Sequence, residues 1–208
     1  MKDRMLIALT GDKGGVSKST IAILLAEWLV MKGHAVTVID ADPNQTAQTC
    51  VEKCKEQGYQ ISTPGAPYTI VDTAGTSGSS LQKYIRQADL ILVPFQPHVA
   101  DLETVVGWFL SLNENLQRRV VFIPNRLAHT KEQRDGLTEL HAVLAEQGRG
   151  RLVSGLSNRP AVYPPVFNGR RDNLFRTKLD QSAEAELCQL FESILEGQRP
   201  RTGNDLWN

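Results

Sequence analysis

The stretch Met5-Leu-Ile-Ala-Leu-Thr-Gly-Asp-Lys-Gly-Gly-Val-Ser-Lys-Ser-Thr20 places an apolar run of strand length before a glycine-rich turn and a Lys-Ser-Thr triplet. Apolar residues at helical spacing follow from Ile21 to Met31. This order of strand, glycine turn, Lys-Ser/Thr and helix is the context that a phosphate-binding loop requires. Glycines let successive backbone N–H groups point at phosphate oxygens, and the helix N-terminus adds partial positive charge. The sequence therefore predicts that Lys18 contacts outer phosphates and that the Ser19 hydroxyl ligates Mg²⁺.

The loop departs from the general pattern G-x-x-x-x-G-K-[ST] at its two glycine positions, where Asp12 and Ser17 stand. It reads Lys13-Gly-Gly-Val-Ser-Lys-Ser-Thr20 and closely resembles the deviant Walker A loop, K-G-G-x-G-K-[ST]-[ST], of the ParA/MinD family. In that family the first lysine crosses a dimer interface to the partner's nucleotide, so the resemblance gives Lys13 this role. It also implies that ATP contacts the whole loop, which comprises Asp12, Lys13, Gly14, Gly15, Val16, Ser17, Lys18, Ser19 and Thr20.

Ser17 carries a cost if its position requires the left-handed backbone that glycine adopts freely. A serine with φ > 0 is strained by about 1–2 kcal/mol, and nucleotide affinity is then expected to be modest. The alternative interpretation of the segment is a glycine turn that happens to precede a helix. Matching segments that follow in order disfavour that alternative.

Composition bounds the classes of protein that remain. The chain has 208 residues, enough for one domain with a substantial core, and its formal net charge is zero. No global field therefore attracts nucleic acid, and any DNA binding must come from a local basic patch. The three cysteines lack the spacing of a metal site, which favours thiols in a reducing cytosol. No apolar run is long enough to predict a membrane-spanning helix.

A pair of carboxylates ends the second predicted strand, residues 35–40. Asp40-Ala-Asp42-Pro-Asn follows that strand at the sheet edge where ligands of parallel sheets bind. The segment resembles the family motif D-x-D-P-[QN]. The resemblance implies that Asp42 positions or activates the attacking water and that Asp40 lies near the Mg²⁺ shell. The alternative is an Asx-type cap of the next helix, predicted for residues 45–57.

A third strand, residues 68–72, also ends in an acid. Its apolar residues and terminal Asp72 form the Walker B pattern, in which the carboxylate reaches Mg²⁺ through the water shell of the ion. No glutamate follows Asp72, so a Walker B glutamate base is absent. This pattern fits a slow ATPase that relies on Asp42.

Asn125 lies at the end of a fifth predicted strand, residues 118–126. The resemblance places it at the family's position for adenine recognition, and an amide offers both a donor and an acceptor to the base. An ordinary asparagine in a strand-end turn is the open alternative. His98 lies near the predicted site and is interpreted as a loop residue, since the family uses no histidine.

The densest basic cluster of the second half lies in an irregular, proline-containing segment and comprises Arg159, Arg170, Arg171, Arg176 and Lys178. Partition ATPases of the family grip DNA nonspecifically with basic residues near this end of the chain, and phosphate contacts need only positive charge. A solvated loop with scattered arginines is the equal alternative. Residues 197–208 lack an apolar face, so membrane targeting is disfavoured.

The order of elements predicts an α/β fold with a mostly parallel sheet and helices on both faces. The resemblance, which runs from Met5 to about Leu195, implies the three-layer P-loop NTPase-like version of it. We expect a single ATPase domain over residues 1–196 and a short flexible tail over 197–208. The predicted helices span residues 18–32, 45–57, 79–87, 100–115, 131–147 and 181–196.

For function, the resemblance implies a cytoplasmic, nucleoid-associated ATPase switch that segregates plasmid DNA. It would bind ATP and Mg²⁺, form a homodimer, bind nonspecific DNA, and hydrolyse ATP when a ParB-like adaptor stimulates it. A positioner of another cargo and a MinD-like regulator are the alternatives. A P-loop metabolic enzyme is disfavoured, because the cysteines do not follow the strands where a cluster would be held.

Overall fold

A computed structural model describes residues 4–11, 15–42, 45–56, 61–73, 79–128, 130–163, 180–196 and 198. Strands and helices alternate along these residues. The strands are β1 Met5–Leu9, β2 Val36–Ala41, β3 Tyr68–Thr73, β4 Leu90–Phe95, β5 Val120–Pro124 and β6 Arg151–Leu152. The helices are α1 Lys18–Met31, α2 Thr46–Glu56, α3 Ser79–Gln87, α4 Val99–Ser111, α5 Glu114–Gln117, α6 Lys131–Gln147 and α7 Gln181–Leu195.

The strands form one sheet in the order β2-β3-β1-β4-β5-β6, and every neighbouring pair is parallel. Its register places Asp72 of β3 beside Leu9 of β1 on one side and beside Asp40 of β2 on the other. Because parallel strands all end at the same edge, this register brings the start of the glycine loop and both acidic motifs together. Ligands of open parallel sheets bind at such an edge, at the point where the strand order reverses. Here that point is β1, which lies between β3 and β4.

Both faces of the sheet are covered, as the nearly continuous apolar strands require. Strands β4 and β5 are buried at every residue. In β1, alternate side chains point to opposite faces. Ile7 and Leu9 pack into a core with α1, α2 and α7, whereas Ala8 packs into a second core with α3, α4 and α6. The prediction of a three-layer α/β fold is therefore confirmed.

Helix α1 is the central helix of the fold, because it is apolar on nearly every side. Residues 21–29 are all buried, and the ring of Trp28 packs 5.8 Å from that of Phe191 in α7. A helix that is hydrophobic all round belongs in a core rather than on a surface. It ends at Met31, and Gly33 adopts φ 86° beyond the cap, as the Lys-Gly ending predicts. No helix among the described residues is long and apolar enough to cross a bilayer.

One predicted helix is wrong. The segment predicted as a single helix over residues 100–115 consists of α4 and the short α5. The break lies at Leu112, whose ψ of 150° is extended, and Asn113 then caps α5 by accepting a hydrogen bond from the Leu116 N–H. The apolar spacing of the segment hides this break, because both pieces bury residues on the same side. The last strand, β6, has only two residues.

Candidate functional site

The glycine loop joins β1 to α1, and two of its described residues have left-handed backbone conformation. Gly15 has φ 80°, and Ser17 has φ 71° and ψ 29°. Ser17 is thus in the left-handed region that the glycine of the general pattern would occupy, which costs about 1–2 kcal/mol for a residue with a side chain. Its carbonyl accepts the N–H of Ile21 at 3.0 Å and so begins the helix. Asp12, Lys13 and Gly14 lie outside the described residues.

Lys18 and Ser19 open helix α1 beside the end of β1. Lys18 is only 7 % exposed, and its Cδ lies 3.9 Å from the point where a side chain on Gly11 would place its Cβ. The Cγ2 atom of Val16 lies 3.6 Å from the same point. The loop is therefore folded closely over the end of the strand, and its lysine lies within the sheet edge rather than in solvent.

Asp72 is the most buried carboxylate of the site. It is 0 % exposed, and neither of its oxygens has a hydrogen-bond partner among the described residues. Burial, assisted by the charges of Asp40 and Asp42, raises the pKa of Asp72 to about 6. Lys18 and the Ser19 hydroxyl lower this pKa, although the hydroxyl does not complete a hydrogen bond of normal geometry. A buried carboxylate that accepts no hydrogen bond of normal geometry from the described residues can still accept a cation or water.

This arrangement fits a magnesium ion. Hydroxyl and carboxylate oxygens are the ligands that Mg²⁺ takes, and the ion usually keeps several of its waters. Ser19 and the buried Asp72 supply such oxygens next to a phosphate-type loop. In the part of the chain described here, no three His, Cys, Asp or Glu side chains converge to enclose a metal directly.

Asp40 uses both carboxylate oxygens on the backbone that follows it. Oδ1 accepts the Asp42 N–H at 2.9 Å, and Oδ2 accepts the Gln48 N–H in the first turn of α2 at 2.8 Å. This is the Asx-type cap that the sequence left as the alternative. Each carboxylate oxygen keeps a second acceptor site, so a contact with the water shell of magnesium stays a prediction. The turn fixes Asp42, which is partly exposed, at the same sheet edge.

Thr73 contributes to the site although the sequence did not single it out. Its buried hydroxyl donates to the Leu9 carbonyl at 2.6 Å and so ties the end of β3 to the end of β1. The Thr10 N–H in turn donates to the Leu92 carbonyl of β4 at 2.9 Å. These two hydrogen bonds connect the ends of β3, β1 and β4 next to the glycine loop. The only sequence signal was a threonine directly after the Walker B aspartate.

Asn125 connects the end of β5 to the glycine loop. Its side chain is 3 % exposed, and its Nδ2 donates to the Val16 carbonyl at 3.1 Å, across 109 residues of sequence. Its Oδ1 accepts the Arg126 N–H at 2.8 Å. The sequence predicted a contact with adenine, and the structure gives the amide two protein partners. The following loop is held by Gln133, whose Oε1 accepts the Ala128 N–H at 2.8 Å.

Arg159 contacts acidic side chains of the protein. Its Nε lies 3.2 Å from Glu186, and its Nη1 lies 3.6 Å from Asp180. Glu186 also accepts hydrogen bonds from Ser157 and from the Tyr163 hydroxyl. These contacts hold residues 157–163 against α7, and the predicted DNA-binding role of Arg159 stays a prediction. The other members, Arg170, Arg171, Arg176 and Lys178, lie outside the described residues.

The Glu186 carboxylate is held charged by these donors. Burial alone would raise its pKa, but the hydrogen bonds from Ser157, Tyr163 and Arg159 outweigh burial and lower the pKa. Burial and the same carboxylate raise the pKa of Tyr163. His98 is exposed, directly precedes α4 and lies 3.6 Å from Glu132.

Comparison with known proteins gives consistent matches over nearly the whole chain. Residues 7–163 match the family model described as the CobQ/CobB/MinD/ParA nucleotide binding domain. The chain is 31% identical over 226 residues to Protein ParA of Rhizobium radiobacter, covering 93% of this chain and 99% of that protein. A putative plasmid partition protein of Borrelia burgdorferi B31 bound to AMPPNP has TM-score 0.72 and 17% identity, covering 93% and 99% of the two chains. The MinD cell division protein of Aquifex aeolicus has TM-score 0.65 and 17% identity, covering 95% and 100%. At these identities the two structures support the fold alone.

Proposed function

Because this chain belongs to the CobQ/CobB/MinD/ParA family of nucleotide-binding domains, we propose that it is a ParA-type ATPase switch that segregates plasmid DNA. ATP binds, two copies close face to face around two nucleotides, and the dimer binds DNA nonspecifically. A ParB-like adaptor on the cargo then stimulates hydrolysis and releases the dimer. The observation that supports this proposal best is the buried Asp72, whose oxygens accept no hydrogen bond of normal geometry from the described residues, close to Ser19 and Lys18.

Nucleotide binding is assigned to the loop and the start of α1. Lys18 and the loop N–H groups would hold the phosphates, with help from the positive end of the helix. Ser19 and Asp72 would hold Mg²⁺, which neutralises phosphate charge when bound. Asp40 would contact the water shell of the ion through its remaining acceptor sites.

Hydrolysis is assigned to Asp42 and Lys13. The turn set by Asp40 holds Asp42 at the sheet edge. Its backbone N–H donates to the Asp40 carboxylate at 2.9 Å. From there Asp42 would orient the attacking water. Lys13 of the second copy would stabilise charge at the transferred phosphate, as an arginine finger does.

Nonspecific DNA binding is assigned to Arg170, Arg171, Arg176 and Lys178. This part of the proposal rests on the sequence. Arg159 is left out, because Glu186 and Asp180 already neutralise it. The formal net charge is zero, so DNA binding requires such a local cluster. Binding to phosphates alone has no sequence preference. It would therefore associate a cytoplasmic protein with the nucleoid as a whole.

The experiment is retention of purified protein on duplex DNA of arbitrary sequence, with ATP, ADP or no nucleotide and at two salt concentrations. We expect retention only with ATP, falling as salt rises, and weakened in Arg170→Ala/Arg171→Ala. The matched control is Lys55→Ala/Arg118→Ala, which removes the same charge from two exposed positions elsewhere. Absence of retention with every nucleotide, while ATP still causes dimerisation, would instead indicate a positioner or regulator that uses another surface.

A further inference from the structure

The Asn125 side chain forms a direct bond between the end of β5 and the glycine loop. Its Nδ2 donates to the Val16 carbonyl at 3.1 Å in a position that is 3 % exposed. A buried carbonyl without a donor is costly, so this bond constrains where Val16 can lie. Val16 is the residue between the two left-handed positions of the loop, Gly15 and Ser17.

The orientation of the Asn125 amide is set by its own surroundings. Oδ1 accepts the Arg126 N–H at 2.8 Å, and the Asn125 backbone N–H donates to the Phe95 carbonyl of β4 at 2.8 Å. A flipped amide would place its NH₂ group against the Arg126 N–H and its Oδ1 against the Val16 carbonyl oxygen, so both hydrogen bonds would be lost. The NH₂ group therefore faces the loop, and the backbone of Asn125 is bonded to strand β4 of the sheet.

The loop needs an outside constraint of this kind. Strained backbone conformations persist only where the surrounding structure fixes them, and Ser17 is strained in the left-handed region. The Val16 side chain is also buried, and it lines a small apolar cleft with Phe95 and Val105. The Val16 carbonyl and side chain thus contact different elements, so the position of Val16 is constrained before any ligand arrives.

We propose that Asn125 is a positioning residue that holds the glycine loop ready for the phosphates of the nucleotide, a role that rests on the proposed function. The bond to the Val16 carbonyl acts on phosphate binding rather than on the base. Loss of the Nδ2 donor removes the hydrogen bond between that carbonyl and the end of β5. Affinity for a phosphate chain without any base then falls together with affinity for ATP.

The test uses inorganic tripolyphosphate with Mg²⁺, which carries the charge of the nucleotide and lacks the base. Displacement of a fluorescent ATP analogue gives the affinities of ATP and tripolyphosphate for the wild type, Asn125→Leu and Asn125→Ala. Leucine fills the space of asparagine without the donor, so the pair separates loss of the bond from loss of volume. The matched control is Gln117→Ala, because Gln117 is also buried and donates to a backbone carbonyl, that of Phe109, far from the loop.

Both Asn125 variants are expected to lose about tenfold or more in affinity for each ligand, the size of an unpaired buried carbonyl. Gln117→Ala is expected to unfold at lower urea concentration and to keep both affinities. Loss of ATP affinity with tripolyphosphate affinity unchanged would overturn the proposal and make Asn125 a reader of adenine alone. Failure of tripolyphosphate to bind the wild type would also overturn it, since the loop would not be ready without the base. A wild type that does not bind ATP would instead contradict the proposed function.

Discussion

At the scale of single residues, Ser17 sets a local cost that the chain carries at its site. Its φ of 71° lies where serine is strained and glycine is not. We expect Ser17→Gly to raise the free energy of unfolding by about 0.5–1 kcal/mol, because relief of strain outweighs the extra entropy of glycine in the unfolded chain. Urea denaturation measures the change.

The matched control for Ser17 is Ser154→Gly. Ser154 is exposed and does not have positive φ, so glycine there should lower stability slightly through the unfolded state. A Ser17→Gly variant that is destabilised as much as Ser154→Gly would contradict the assignment of strain to Ser17.

Asp72 provides a pH-dependent prediction at the same scale. Its pKa is raised from 3.8 to about 6 in the folded protein, chiefly by burial. Between these two values the folded state holds a proton that the unfolded state has lost, so stability falls as pH rises through this window. The whole shift corresponds to about 3 kcal/mol. Without nucleotide and Mg²⁺, Asp72→Asn should therefore lose less stability than the wild type between pH 4 and 6, roughly the interval of these values.

Urea midpoints measured across that pH range, with a chelator present, check the Asp72 prediction. Added Mg²⁺ and nucleotide should reduce the difference between the two proteins, because a cation favours the charged carboxylate. Parallel pH profiles for the wild type and Asp72→Asn would show that Asp72 is not the titrating group.

At the scale of elements, the contact between residues 157–163 and α7 depends on one carboxylate. Glu186 accepts hydrogen bonds from Ser157, Arg159 and Tyr163. Glu186→Ala leaves these donors unpaired and should lower the free energy of unfolding by about 2–4 kcal/mol. Because the pKa of Glu186 is lowered in the folded state, this stabilisation is present at neutral pH and is lost as pH falls through the folded pKa.

Glu192→Ala is the control on the same helix. Glu192 pairs with Lys32 at 3.2 Å, but both side chains are largely exposed, so the pair should contribute less than about 1 kcal/mol. Thermal or urea denaturation of the two variants at neutral pH makes the comparison. Equal destabilisation would show that the Glu186 contacts do not stabilise α7.

The elements also show what the sequence can and cannot predict. Helix α6 has the predicted bounds, because Thr130 caps its start and Gly148 ends it with φ 61°. The break between α4 and α5 was missed although Asn113 is a good N-cap residue, since apolar spacing continued through it. The strand ends carrying Asp40 and Asp72 were predicted because strand and acid are adjacent in sequence.

Other parts of the site left no local pattern. The bond from Asn125 to the Val16 carbonyl joins positions 109 residues apart, and only the folded sheet brings them together. Arg159 reads as one more basic residue in the sequence, whereas its acidic partners come from α7. Motifs thus predict candidate ligand-binding residues, but contacts between motifs require the tertiary structure.

At the scale of the whole molecule, the proposed switch separates dimerisation from chemistry. Asp42 lies on a turn outside the core, so Asp42→Ala should preserve folding, ATP binding and ATP-dependent dimerisation. Turnover should fall by about 10²-fold or more, because the attacking water loses its orienting group. Light scattering measures dimerisation, and phosphate release measures turnover.

Asp135→Asn on the exposed side of α6 is the control for this separation. It should leave dimerisation and turnover unchanged. An Asp42→Ala protein that stays monomeric in ATP, or one that hydrolyses ATP at the rate of the wild type, would contradict the scheme.

Helix α1 has a consequence for how such a protein can change over generations. The same helix begins with Lys18 at the candidate phosphate site and fills the centre of the larger core through residues 21–29. Drift that alters the packing of these interior positions also displaces the loop at the end of the helix. Selection on ligand binding would therefore act on side chains that never touch a ligand. In this architecture, the lineage cannot repack its interior and retain its site independently, whereas the outer surface of α6 is free to diverge.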